Sequence, residues 1–403
     1  NWMYGFRECI FSIGSRTLAQ RAAHEVILDN ARLLHDQLAA GISERTNAGW
    51  TSFEEKGTAP RLDLDANAVA VPDCAGTCYP PDIINGPLGD EITYADRIFP
   101  SPPPGLNHFP GFYSGDRKQY LLLTSRQIKA GLLRLDSTCR GGASVFPVGK
   151  PGGKQRVVWN GTRISEAAAR SPRPPHLADP ACFGMLELAD GARLRVTKRD
   201  CRTWFDQLSV CDDIGSFFGR PAVSRQELLD AGLTDEELHS FGGSGSLDSM
   251  FPCSRVWPMG FSWSSCVAQS TLLSICSRAG LDDRKVLACD VSLPSDLDLC
   301  FAVVTDDLMI FSDVGPGPTV EAARRVEEPM TRRGIAKIPD KDIDDAIDTT
   351  CVGVDLVGGS SWAPPGKRIR ELLDGLLGLC THRTSSPGAV AAYLGVAQWY
   401  DLL

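Results

Sequence analysis

The 403-residue chain has no run of apolar residues approaching the roughly 18 that a membrane-spanning helix needs, so no membrane partner is predicted. Its start lacks the charged, apolar and small-residue order of a secretory leader. The first residue is Asn1 rather than Met, as expected of a fragment. Zinc-ligand spacing is missing as well. The 14 cysteines are scattered singly, and the nearest two, Cys74 and Cys78, have no second pair to complete a ligand set. Reduced thiols of an intracellular protein, cytoplasmic or nuclear, are the expectation. No internal repeat is visible. With 43% hydrophobic and 23% charged residues, wholesale disorder and fibrous architecture are excluded. At about 150 residues per domain, the length suggests two or three lobes.

Excess positive charge is also lacking. The formal net charge is −9, which argues against non-specific nucleic-acid binding. The charge is unevenly placed, however. Residues 140–202 carry 12 Lys/Arg against 5 Asp/Glu, a local +7 that leaves −16 on the remainder. A basic block in an acidic chain predicts an anionic ligand that meets one region. A solvated surface face is the alternative.

Along the chain, residues 1–46 read as helical, with Ser15 as a cap. Residues 47–118 are rich in Pro, Gly and Asp and read as loops, broken most clearly at Ser101-Pro-Pro-Pro-Gly105. Residues 121–135 read as one apolar helix. Residues 143–148 and 156–159 read as strands of a hairpin around Gly149-Lys-Pro-Gly-Gly153. Residues 193–198 alternate as a strand that runs into Asp200. Residues 206–250 hold 9 acidic and 2 basic side chains. Two capping-box patterns, Ser224 with Glu227 and Thr234 with Glu237, precede Gly242-Gly-Ser-Gly-Ser246, and together suggest an inserted helical subdomain on a tether.

Two apolar runs, Phe301-Ala-Val-Val304 and Leu308-Met-Ile-Phe311, flank Thr305-Asp306-Asp307. This pattern predicts a hairpin buried on both faces, because the runs are continuous rather than alternating. Buried strands that deliver adjacent carboxylates to a turn need a counter-charge, although an isolated Asp-Asp also suits an ordinary turn open to water. Asp200, at another strand end, supplies a third carboxylate. Such a set can clamp two Mg²⁺ ions about 4 Å apart for phosphoryl transfer, with Mn²⁺ as the alternative metal.

These residues resemble the reverse transcriptases, and most closely those of LTR-type retrotransposons. Asp200-Cys-Arg-Thr-Trp-Phe-Asp-Gln-Leu208 resembles the first palm motif, with an aromatic five residues after the Asp and then a Gln. Pro258-Met-Gly-Phe261 with Gln269 resembles the second. Val304-Thr-Asp-Asp-Leu-Met-Ile-Phe-Ser312 resembles the Tyr-x-Asp-Asp motif and its strand, with Val304 in place of the Tyr. Gly334 to Lys341 resembles the fourth motif, and Gly353 falls where the primer-grip hairpin has a Gly. Tyr393-Leu-Gly-Val-Ala-Gln-Trp-Tyr400 resembles the segment beyond the thumb. Ser265 replaces the usual Pro of the second motif, and the gap from Asp200 to Pro258 is longer than usual.

The resemblance implies an α+β right-hand polymerase with fingers, a palm of antiparallel sheet backed by helices, and a partial thumb. Residues 1–118 would form a region of unassigned role, 119–192 the fingers, 193–356 the palm with an acidic insert at 209–250, and 357–403 the partial thumb. The implied activity is RNA-directed DNA synthesis by a retroelement enzyme, from dNTPs onto a primer 3′-hydroxyl paired to an RNA or DNA template. No oligomeric state is implied. Asp200, Asp306 and Asp307 would be metal ligands, and Lys341 would serve the leaving pyrophosphate. Lys150, Arg156, Phe205, Gly260 and Gln269 would bind the nucleotide, with Phe205 excluding a 2′-hydroxyl. Arg163 and Gly353 would meet nucleic acid. The alternatives are an inactive polymerase-derived RNA-binding protein and an RNA-templated RNA polymerase.

Overall fold

The computed structural model describes residues 62–109, 116–242, 249–381 and 387–400. All belong to one unit, Thr58–Leu403. The helix expected over 1–46 and most of the Gly/Ser tether lie outside the described residues. The segment 62–109, expected as loops, carries two short helices, α1 (Pro87–Glu91) and α2 (Ala95–Ile98). It also contributes Ile83, Ile92, Ile98 and Phe99 to the main core, where Phe99 stacks on Phe217 with ring centroids 3.9 Å apart.

Helix α3 (Arg117–Lys129) starts at Asp116, whose side chain accepts from the Lys118 backbone N–H. It does not run to residue 135 as the apolar pattern predicts. Gly131 takes φ +77° and ends it, and the chain continues as strand β1 (Leu133–Asp136). Leu133 and Leu135 therefore point inward with strand period rather than along a helix face. Strands β2 (Val145–Gly149) and β3 (Gln155–Trp159) form the expected antiparallel hairpin, with Val148 opposite Arg156. Short helices α4 (Thr162–Ala167) and α5 (Pro180–Gly184) lead to β4 (Arg195–Asp200).

After β4 come α6 (Trp204–Gln207), α7 (Asp212–Gly215), α8 (Arg225–Asp230) and α9 (Asp235–Ser240). Both capping boxes are present, at Ser224/Glu227 and Thr234/Glu237. This acidic segment does not build a core of its own. Ile214, Phe217, Phe218, Leu228 and Leu238 pack into the main core, and β5 (Phe251–Ser254) returns to pair antiparallel with β1.

Helix α10 (Ser264–Arg278) precedes the hairpin of β6 (Cys300–Val304) and β7 (Asp307–Ser312), and α11 (Pro318–Arg332) follows it. Strand β8 (Ile343–Ala346) completes a four-stranded antiparallel sheet ordered β6-β7-β4-β8. The continuous apolar runs now have their reason. Phe301, Val303, Leu308 and Ile310 face the main core with α10 and α11, while Cys300, Ala302, Met309 and Phe311 face a second core. Successive residues of one strand thus meet different cores, so neither face needs polar positions. The second core also takes Cys182 and Phe183 from α5, and Cys351, Val354 and Leu356 from a small sheet. That sheet comprises β9 (Thr349–Cys351), β10 (Val354–Val357) and β11 (Ser361–Ala363). Helices α12 (Gly366–Thr381) and α13 (Pro387–Tyr400) end the described chain. No helix among the described residues is long and apolar enough to cross a membrane.

Candidate active site

Antiparallel register brings the distant carboxylates together. Asp200, the last residue of β4, lies opposite Asp307, the first of β7, and Val304 lies opposite Asp307 on the other side. Asp306 therefore sits at the turn tip, and its carbonyl accepts the Cys201 N–H at 3.0 Å. Thr305 holds the left-handed conformation with φ +59°, a strained state for a β-branched residue. The turn is held from behind by Gln269 of α10, whose side chain is fully buried. Its Oε1 accepts from the Thr305 N–H at 2.7 Å, and its Nε2 donates to the Val303 carbonyl at 2.9 Å and to the His176 carbonyl at 3.2 Å. The structure thus places this expected nucleotide contact behind the hairpin, as a brace for it.

Burial, with repulsion from Asp200, raises the Asp306 carboxyl above its ordinary pKa. Burial, with repulsion from Asp306 and Asp200, pushes Asp307 up to about 6. The side chain of Lys341, from the turn after α11, reaches Asp200 with Nζ 2.6 Å from Oδ2, and this pairing raises the amine pKa. Lys150 and Arg156, from the β2–β3 hairpin, are exposed, and neither side chain has a hydrogen-bond or ion-pair partner among the described residues. Both act electrostatically on this cluster. Lys150 is held below its usual pKa by partial loss of solvent around the amine and by repulsion from Arg156 and Lys341, against the pull of Asp306 and Asp200.

The donor set is three carboxylates, two of them destabilised by burial and crowding. Hard oxygen donors short of counter-charge suit a divalent ion such as Mg²⁺. Their donor oxygens are not all within 4.8 Å of one another, and Lys341 occupies the Asp200 side.

Other expected residues take varied positions. Gly260 has φ +112°, and a Cβ there would lie 2.0 Å from the Trp159 carbonyl oxygen, so only glycine seats β3 against the approach to α10. Phe205 is half-buried against the main core. The exposed Arg163 donates to the His108 carbonyl at 3.0 Å and the Gly105 carbonyl at 3.5 Å, which ties it to a loop. Gly353 stands at the β9–β10 turn with φ +79°, where the Tyr400 hydroxyl of α13 donates to its carbonyl at 3.3 Å.

Two residues of the quoted first motif take roles that the sequence reading did not assign. Gln207 links the Arg202 carbonyl to both backbone groups of Ala336 and so fastens the first and fourth motif segments together. The Asp206 carboxyl has no hydrogen-bond partner among the described residues, and burial pushes it up to about 6 although Arg220, Arg156 and Lys150 attract it. The available signal was a carboxylate wedged between Phe205 and Gln207 in the quoted motif.

No protein-family model and no curated protein matches the chain. Among solved structures the chain is similar to foamy viral protease-reverse transcriptase. A dRH form in complex with double-stranded DNA has TM-score 0.46 and 12% identity over 79% of this chain and 51% of that one. A complex with RNA/DNA hybrid has TM-score 0.47 and 11% identity, covering 78% and 38%. A further complex with double-stranded DNA has TM-score 0.45 and 13% identity, covering 90% and 58%. The chain thus spans 38–58% of the length of these proteins.

Proposed function

We propose that the chain is a template-directed nucleotidyltransferase of the reverse transcriptase type. It would join dNTPs to a primer 3′-hydroxyl. The observation that carries this reading is the β4–β7 register, which sets Asp200 opposite Asp307 with Asp306 at the adjoining turn, within electrostatic reach of Lys150 and Arg156, cations without a hydrogen-bond or ion-pair partner among the described residues. Asp200, Asp306 and Asp307 are the residues that would hold Mg²⁺. When bound, the ions would supply a lowered pKa for the primer hydroxyl and charge neutralisation for the triphosphate.

The protein's own groups divide the remaining work. Arg156 and Lys150 bind triphosphate oxygens, the guanidinium by two-pronged hydrogen bonding. Lys341, kept protonated by its pairing with Asp200, supplies a proton to the leaving pyrophosphate. Gln269 fixes the strained turn that carries Asp306. Phe205 lies beneath the incoming sugar and excludes a 2′-hydroxyl by shape.

The test is primer extension on a homopolymer RNA template with Mg²⁺, with dNTPs and rNTPs in separate arms. Extension with dNTPs alone is expected, with Asp306→Ala at least about 1000-fold slower. Primer–template binding should persist in that variant. Equal use of rNTPs would favour an RNA polymerase, and binding without extension would favour an inactive RNA-binding protein.

A further inference from the structure

We propose that Asp179, Cys182 and Cys289 form a binding site for one soft divalent cation, Zn²⁺ by its ligand chemistry. The site lies on the second core, uses none of the three aspartates, and rests on no part of the polymerase reading. Among the described residues this is the set of three ligating side chains whose donor atoms all lie within 4.8 Å of one another. Cys182 Sγ is 3.2 Å from Cys289 Sγ, and Asp179 Oδ1 is 2.9 Å from Cys289 Sγ and 3.9 Å from Cys182 Sγ. Tetrahedral zinc with Zn–S bonds of about 2.3 Å sets two sulfurs roughly 3.8 Å apart and a sulfur and an oxygen roughly 3.5 Å apart. Each pair is within an ångström of that spacing.

The backbone already holds the ligands. Asp179 caps α5, with Oδ1 accepting from the Ala181 N–H at 2.9 Å, and Cys182 follows on the same short helix, fully buried. Cys289 comes from a different segment, anchored where the Leu287 N–H donates to the Phe301 carbonyl of β6 at 2.7 Å. A metal there would staple the connection entering β4 to the edge of the four-stranded sheet. Cys182 is buried while Cys289 is exposed, which provides both a dry wall and an entry path. Three protein ligands leave the fourth position for water on the Cys289 side.

Two thiolates and one carboxylate select zinc over magnesium, which prefers oxygen ligands throughout. The charge balance is favourable. Zn²⁺ replaces two thiol protons, which leave to solvent, so the site carries one net negative charge before and after binding. In the absence of metal, the Cys289 thiol donates to Asp179 in the ion's place.

The test titrates the reduced full chain with Zn²⁺ alone against a chromogenic chelator, then repeats the titration with Co²⁺ to read the sulfur-to-metal charge-transfer band. The expected result is one tight Zn²⁺ per chain, two thiols protected from a disulfide reagent, and a charge-transfer band for Co²⁺. Cys289→Ser alters an exposed side chain and should keep the fold by circular dichroism while weakening binding at least about tenfold and removing the band. Asp179→Asn retains the helix cap and should weaken binding about tenfold. Asp306→Ala should leave Zn²⁺ binding unchanged. Equal Zn²⁺ affinity and thiol protection in Cys289→Ser would overturn the site. So would a Cys182–Cys289 disulfide that forms in air at the same rate with and without Zn²⁺.

Discussion

At the scale of single residues, Asp206 shows how burial sets a charge against the fold. Its carboxyl is pushed up to about 6, first by burial and only partly offset by Arg220, Arg156 and Lys150. Arg220 is itself buried, with Nη1 donating to Gln127 Oε1 at 2.6 Å and Nε without a partner among the described residues. A carboxyl whose pKa is raised by folding holds its proton longer in the native state than in the unfolded chain. Stability is therefore lost as pH rises from about 4 to about 6, and the cost is fully present above that window. Asp206→Asn removes the charge and should stabilise the protein by about 1–3 kcal/mol at pH 8 and by nothing near pH 4. Thermal melts of both proteins across that range measure it. A gain independent of pH would mean that the amide acts by packing alone.

At the scale of elements, the contact between the β2–β3 hairpin and the approach to α10 depends on a glycine. Gly260 needs φ +112° and leaves no room for a Cβ against the Trp159 carbonyl, while the Trp159 N–H donates to the Met259 carbonyl at 3.2 Å. Gly260→Ala should destabilise by about 2–4 kcal/mol, because strain and backbone collision act together. A fall in the urea midpoint with an unchanged slope would show that stability, and not compactness, was altered. Since the hairpin carries Lys150 and Arg156, the same variant should raise the KM for dNTP in any preparation that stays folded.

Across the whole molecule, charge and core are divided in a related way. Strands β6 and β7 bury both faces, so the sheet's charged residues stand mainly on β4, on β8 and at the hairpin turn. There Arg199 pairs with Glu327 and with Asp344 at 2.8 Å. The basic block of residues 140–202 supplies Lys150 and Arg156 to the three aspartates, and Lys341 comes from outside it. Because Arg156 has no hydrogen-bond or ion-pair partner among the described residues, its loss should act on the ligand and not on the fold. Arg156→Ala is expected to raise the KM for dNTP about tenfold, with primer–template affinity within about twofold and Tm unchanged. Arg163→Ala should instead lower Tm, since its guanidinium serves the carbonyls of His108 and Gly105. Interchanged outcomes would reverse the two assignments.

Local patterns in the amino-acid order determined the β6–β7 hairpin, the β2–β3 hairpin and the two capping boxes, because turn chemistry and period-two burial act over a few neighbouring residues. The same patterns read α3 about six residues too long. Apolar spacing is ambiguous over so short a stretch, and the end was decided by Gly131 and by the pairing of Leu133 and Leu135 with β5. Only the tertiary structure set Asp200 opposite Asp307, since register between strands more than 100 residues apart follows from which side chains each core accepts. It alone turned Gln269 inward to brace Thr305. It alone also gathered Asp179, Cys182 and Cys289, which stand in the chain as an ordinary helix cap and two isolated thiols and meet only where the second core folds them against one sheet edge.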